Sequence, residues 1–240
     1  MDNVIVDRQQ WLSARLQLLE QEKQFQRARD ALSARRREMP WVVVDQDYRF
    51  ETQDGPCSLA ELFGDKSQLI VQHFMLGDDW AEGCPSCSFW ADGFNGTTVH
   101  LENRDAAFVA TSNASLDKIN AYKKRMGWDF PWVSSLGSSF NHDYQASFSD
   151  AEMADGTVYY NFHETTFPSS EAPGISIFAR DGNGNGNGNG NGKVYHTYSC
   201  YSRGIDNMNV AYQYMDLLPK GRDEDSLPHP MAWVRRHDQY

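Results

Sequence analysis

The chain has 240 residues, 33 of them acidic and 22 basic, for a net charge of −11. With 40% apolar and 13% aromatic residues it can bury a sizeable core, which excludes wholesale disorder. No apolar run approaches the roughly 18 residues of a membrane helix, and the acidic balance argues against a nucleic-acid partner, which needs a basic face.

Met1–Arg8 lacks the basic and apolar regions of an export signal. A cytoplasmic location with reduced thiols is therefore expected. Residues 7–39 read as one long helix. Asp7 and Gln10 form a capping-box pattern, Trp11, Leu18, Phe25 and Leu32 recur every seven residues, and Met39-Pro40 ends the run. An apolar stripe of this kind needs covering, so the arm (1–40) is expected to pack on its own domain or on a second subunit, which allows a homodimer.

The domain proper is expected over 41–218, with a polar tail, 219–240, anchored by Trp233. Trp41–Val44 and Tyr48–Thr52 bracket Asp45-Gln46-Asp47 and read as a hairpin. Ser58 can cap the short segment Leu59–Phe63. Leu69–Met75 is a nearly continuous apolar run, as in a central strand buried on both faces. A loop, Gly77–Gly83, leads to Cys84-Pro85-Ser86-Cys87. A helix is expected over 86–102, a second buried strand at Ala106–Ala110, and a helix from Ser115 to Arg125. This is a βαβ unit with its cysteines where the first strand meets its helix.

Strands are also expected at Phe130–Val133, Val158–Phe162, Gly174–Arg180 and Lys193–Ser199. The Asn-Gly repeat 183–192 reads as a mobile hairpin tip, and Asp206–Leu218 reads as a closing helix.

Four cysteines in a chain of this length are no disulfide scaffold, and a Cys-x-x-Cys in a reducing compartment points to redox catalysis or metal. A thiol at a helix N-terminus has its thiolate favoured by the dipole and the unpaired N–H groups. Cys84 has that place, and Cys87 lies one turn on, within reach of a mixed disulfide on Cys84. Pro85 fits the first turn, where an N–H is dispensable. The carboxylates of Asp78, Asp79 and Glu82 oppose thiolate formation wherever they lie close. Asp92 is a candidate proton acceptor for Cys87, and Arg203 and His196 could orient substrate. Two cysteines fall short of the four ligands of structural zinc, and His73, His100, His142 and His196 have no telling spacing, so no metal and no other cofactor is expected. Cys57 and Cys200 lack a close cysteine partner in sequence.

The run Cys84–Gly96, together with Gly77-Asp78-Asp79-Trp80, Lys123–Trp128, Phe130–Ser135, Phe140-Asn141, Tyr195–Ser199, Arg203-Gly204 and Trp233–Asp238, resembles the DUF899 family of bacterial thioredoxin-like proteins, regarded as dithiol–disulfide oxidoreductases. The resemblance covers almost the whole chain. It implies an α/β, thioredoxin-like three-layer fold with a central mixed sheet, an N-terminal helix and a C-terminal extension. Two features depart from the family pattern: the Asn-Gly repeat replaces a short turn, and Cys200 stands where a small residue such as Thr is expected. In such folds a cis-proline opens the strand that faces the Cys-x-x-Cys, and Pro173, before Gly174, is the candidate.

Three functions remain open at this level. One is a thiol–disulfide oxidoreductase acting on a protein or small-molecule disulfide, with a thiol reductant as partner and with Trp80, Pro85, Asp92 and Pro173 in support. A second is a peroxiredoxin-like peroxidase, although Gly77 and Ala81 replace the Pro and Thr of the pattern Pro-x-x-x-Thr-x-x-Cys. The third is a binding module with structural or metal-binding cysteines, whose aromatic residues near the pair form a partner groove.

Overall fold

A computed structural model describes residues 3–181 and 192–240. Most of the Asn-Gly repeat lies outside the described residues. The chain forms two units, Met1–Pro40 and Trp41–Tyr240.

The first unit is helix α1 (Arg8–Arg37). Asp7 caps it: its carboxylate accepts from Gln10 N at 2.8 Å, and the Gln10 side chain accepts from Asp7 N at 3.4 Å. The ion pairs Arg15–Glu22 and Arg27–Glu20, at 2.8 and 3.0 Å, lie along its surface. Trp11, Leu18, Phe25 and Leu32 are exposed, and no α1 residue is buried.

The second unit runs β1 (Val42–Val43), β2 (Arg49–Thr52), β3 (Gly55–Ser58), β4 (Gln68–His73), α2 (Pro85–Ala91), α3 (Thr98–Glu102), β5 (Ala106–Ser112), α4 (Leu116–Arg125), β6 (Trp132–Ser134), α5 (Phe140–Asp143), α6 (Asp150–Asp155), β7 (Val158–Tyr160), β8 (His163–Thr165), β9 (Gly174–Arg180), β10 (Val194–Tyr201) and α7 (Val210–Met215). Eight strands form one mixed sheet in the order β1-β10-β9-β4-β5-β6-β2-β3. β4 and β5 are parallel, while β9 is antiparallel to β4 and β10 antiparallel to β9. A β4–α2–β5 unit beside an antiparallel β9–β10 pair that leads into α7 is a thioredoxin-like arrangement.

Alternate residues of the central strands feed two cores. On one face Leu69, Val71, Val109 and Phe178 pack with Phe63 and Phe140. On the other, Ala110 and Ile175 pack with Cys87 and Trp90 of α2, Ile119 and Tyr122 of α4, and Tyr212 of α7. This two-sided burial is why β4 reads as an unbroken apolar run. Its polar end is paired inside the fold. His73 Nδ1–H donates to Asn141 Oδ1 at 3.1 Å, which leaves Nε2 to accept from Ser176 Oγ at 2.9 Å. Ser176 Oγ in turn meets Ser199 Oγ at 2.9 Å, and Ser199 Oγ meets His196 Nε2 at 2.8 Å.

Several local expectations are corrected. Val42–Val43 and Arg49–Thr52 form no hairpin with each other: β1 pairs with β10, while β2 pairs with β3 and β6 at the opposite side of the sheet. Burial of Tyr48 and Phe50 against Phe140 outweighs the local turn chemistry. The helix expected over 86–102 breaks into α2 and α3, and Gly96 between them has φ +77°. The closing helix divides into a 3-10 segment, Ser202–Met208, and α7, where Asn209 caps Tyr212 N at 3.0 Å. No helix among the described residues is long and apolar enough to cross a membrane.

Candidate functional site

Cys84 sits at the N-cap of α2 with Pro85 in the first turn, as the spacing implies. Its backbone is held on every side. Cys84 N–H donates to Met75 O, just past β4, at 3.1 Å. Ser88 Oγ–H donates to Cys84 O at 2.9 Å and meets Tyr122 OH at 2.8 Å. Arg236, in the C-terminal segment, donates from Nε to Tyr122 OH at 3.0 Å and from Nη2 to Gly83 O at 2.6 Å.

Gly83 is required by this packing. A Cβ there would lie 2.6 Å from Tyr122 Cε1 and 2.8 Å from Phe74 Cε1.

None of the four cysteines is in a disulfide. Cys84 is half-buried and Cys87 buried. The Cys84 thiol is held below the ordinary thiol value. The hydrogen bond offered by the Cys87 thiol does most of this against the opposing effect of burial, and the N–H groups of Cys87 and Ser86 add to it. Cys87 is pushed well above the ordinary value by the same contact, by burial and by the charge on Cys84. One thiol is therefore set up to ionise first and the other to keep its proton.

Two of the three carboxylates in the acidic loop before the pair, those of Asp78 and Glu82, are engaged elsewhere. Asp78 accepts from Ser115 N at 2.9 Å, and Lys118 binds the carbonyls of Asp78 and Trp80. Glu82 pairs with Arg125 at 2.8 Å and Arg236 at 2.9 Å.

A cleft of about 950 Å³ opens beside Cys87, lined by Met75, Ser86, Cys87, Trp90, Pro173 and part of the segment 220–231, and not by Cys84. Arg203 also lines it, whereas His196 belongs to the buried serine chain. Pro173 thus shares the cleft with Cys87. The cis bond expected there is a correction: no cis peptide bond occurs among the described residues, and Pro173 is trans. The Pro173 carbonyl accepts from Tyr160 OH at 2.8 Å, so the β7 tyrosine fixes this turn.

Trp80 packs at the margin of the Cys87 core. Of the other aromatics near the motif, Phe94, Trp128, Phe130 and Trp132 are buried core rather than groove. Asp92 at the end of α2 is engaged away from the thiols: it accepts from Trp128 Nε1 at 2.9 Å and from His237 Nδ1 at 2.6 Å. The candidate proton acceptor for Cys87 thus stands at the C-cap of α2, with Cys84 at the N-cap.

Glu171, buried two positions before Pro173, adds the least of the named causes to the upward push on the Cys87 thiol. The sequence reading missed it because no spacing links residue 171 to residue 87. The one available signal was a charged residue two positions before Pro173.

Cys57, on β3, is half-buried and its thiol is pushed up to about 11, chiefly by burial. Cys200, on β10, is buried in the core cluster that also contains Cys87. Among the described residues no group of three or more His, Cys, Asp or Glu side chains is arranged to hold a metal ion.

Among solved structures, the chain is similar to Xanthomonas campestris peroxiredoxin Q, at 10% identity and TM-score 0.42, covering 74% of this chain and 97% of that one. It is also similar to Mycobacterium tuberculosis peroxidoxin BcpB, at 13% identity and TM-score 0.42, covering 73% and 97%. A hypothetical protein of Sinorhizobium meliloti aligns at 16% identity and TM-score 0.38, covering 64% and 79%. Likeness at this level says nothing of the chemistry here. No curated protein matches the chain. The family model described as a bacterial protein of unknown function, DUF899, matches residues 1–240, and the chain belongs to that family.

Proposed function

We propose that this protein is a thiol–disulfide oxidoreductase in which Cys84 is the nucleophile and Cys87 the resolving thiol. The observation that carries the reading is the opposed pair at the start of α2: a half-buried thiol held below its ordinary pKa, and one turn on a buried thiol held above it. Thiolate is the attacking species in exchange, so this ordering assigns the first step to Cys84.

In that step the Cys84 thiolate forms a bond to one sulfur of a protein or small-molecule disulfide and expels the other as a thiolate. Cys87 then loses its proton and attacks Cys84 Sγ. The second half of the substrate leaves, and the Cys84–Cys87 disulfide remains. The substrate gains two electrons and the pair loses two. An external thiol reductant restores the dithiol. Pro173 and Trp90 line the cleft together with Cys87.

The test is a redox titration. Protein equilibrated across graded dithiothreitol ratios is alkylated and mapped by mass spectrometry. A reversible two-electron transition confined to Cys84 and Cys87 supports the reading. Absence of such a transition, or thiols protected by bound metal, overturns it.

A further inference from the structure

Helix α1 carries an apolar line with no cover. Trp11, Leu18, Phe25 and Leu32 follow one another at seven-residue steps along about 30 Å of helix. Each is between 45 and 63% exposed. A repeat of seven keeps such a line turned toward a partner helix through a left-handed supercoil, and a long helix draws most of its stability from packing of that kind.

The sizes along the line name the partner. If the large residues hold the a positions of the repeat, the d positions three residues on include Ala14 and Ala28. Two copies of α1 side by side in parallel would set large on large, Phe25 on Phe25, and leave small on small. An antiparallel pair sets a against d. One register then puts Phe25 against Ala14 of the second copy, Trp11 against its Ala28, and Leu18 over the stem of its Gln21, which fills the seam evenly. The charges agree with that register. It brings Arg15 beside Glu22 of the second copy and, by the two-fold symmetry, Glu22 beside Arg15. These side chains already attract each other within one helix, at 2.8 Å. In parallel pairing they would face the uncharged Gln10 and Gln17. Arg8 and Arg29 meet as like charges at the outer ends of the antiparallel seam, where water screens them and where Arg8 lies over the Trp11 ring, 4.3 Å from its centroid.

We propose that α1 is a dimerisation surface whose occupant is α1 of a second copy of this chain, antiparallel, with Phe25 on Ala14 and Arg15 beside Glu22. The apolar seam supplies the affinity, and the two Arg–Glu contacts select the antiparallel register. The proposal is independent of the chemistry of the cysteine pair.

The experiment is sedimentation velocity on the full-length protein at low ionic strength, with reductant present so that no disulfide joins two chains. Wild type should sediment at twice the chain mass of 27.4 kDa. Phe25→Glu should give a monomer. Arg15→Glu and Glu22→Arg should each weaken the dimer by at least about 10-fold, and an equimolar mixture of the two should return to the wild-type affinity. Each of these variants keeps its like charges within its own helix on mixing, so recovery reports contact between copies and shows that both variants are folded. A wild type that is monomeric at every concentration means that something other than a second copy covers the line, and it overturns the proposal. A dimer that survives Phe25→Glu lies elsewhere and overturns it too. A dimer indifferent to both charge reversals, or one that mixing fails to restore, rules out the antiparallel seam.

Discussion

The Arg236 guanidinium donates to the carbonyl of Gly83 at 2.6 Å, so a residue of the C-terminal segment grips the peptide that leads into Cys84. The same side chain reaches Tyr122 OH, and Ser88 carries the chain of hydrogen bonds on to the Cys84 carbonyl. Arg125 ties in the neighbouring Asp238 at 2.7 Å, and His237 reaches Asp92 on α2. The C-terminal segment is thus a brace for the cysteine turn.

Arg236→Ala should loosen that brace. It strips charge-assisted hydrogen bonds from a side chain that is only 13% exposed and should cost about 2–3 kcal/mol. Urea unfolding of variant and wild type measures this. Arg236→Lys should recover little, because one ammonium cannot serve Gly83 O and Tyr122 OH with the geometry of a guanidinium.

Cys84 and Cys87 should separate in a pH series of iodoacetamide labelling read by peptide mass. Cys84, its thiolate favoured, should label first at neutral pH, by at least about 10-fold. Cys87 should label only as the pH rises or the protein unfolds. Equal rates at pH 7 would remove the basis for assigning their roles.

His73 sets an acid limit on stability. Burial pushes its pKa down from 6.5 to about 4, with Asn141 opposing. The native state therefore refuses a proton that the unfolded chain accepts. Its contribution is fully present above pH 6.5 and is lost as pH falls through 4, a swing of about 3 kcal/mol. Melting temperatures of wild type and His73→Leu between pH 7 and 4 check this. The variant should be less stable at pH 7, with Asn141 left unpaired, and its pH dependence should be flatter over that range.

Gly83→Ala should destabilise by about 1–3 kcal/mol, because the added methyl meets two packed rings, Tyr122 and Phe74, inside 3 Å. Thermal unfolding reads the loss. Gly64→Ala is the useful contrast: nothing lies within 4 Å of its Cβ position, so its cost comes from φ +57° alone.

Much of the fold follows from local patterns. The capping box of Asp7 and Gln10, the apolar run of β4, the cysteine turn with Pro85 behind it and the Ser115–Arg125 helix are short-range matters of period, cap and ring geometry, so the residues alone determine them. The same holds for the order of strand and helix through the βαβ unit, and for which two cysteines lie one turn apart.

The tertiary structure decided what lies across from what. Val42 pairs with His196 rather than with its neighbour in sequence, because the buried faces of Tyr48 and Phe50 draw β2 to the far side of the sheet. Pro173 keeps a trans bond, held by Tyr160. Asp92 is taken by His237, and Gly83 is held by Arg236. These last two contacts join residues 145 and 153 positions apart. Such pairings arise when the chain buries its apolar surface, and the strength of a charge or a thiol's proton depends on the burial and the neighbours that this collapse creates.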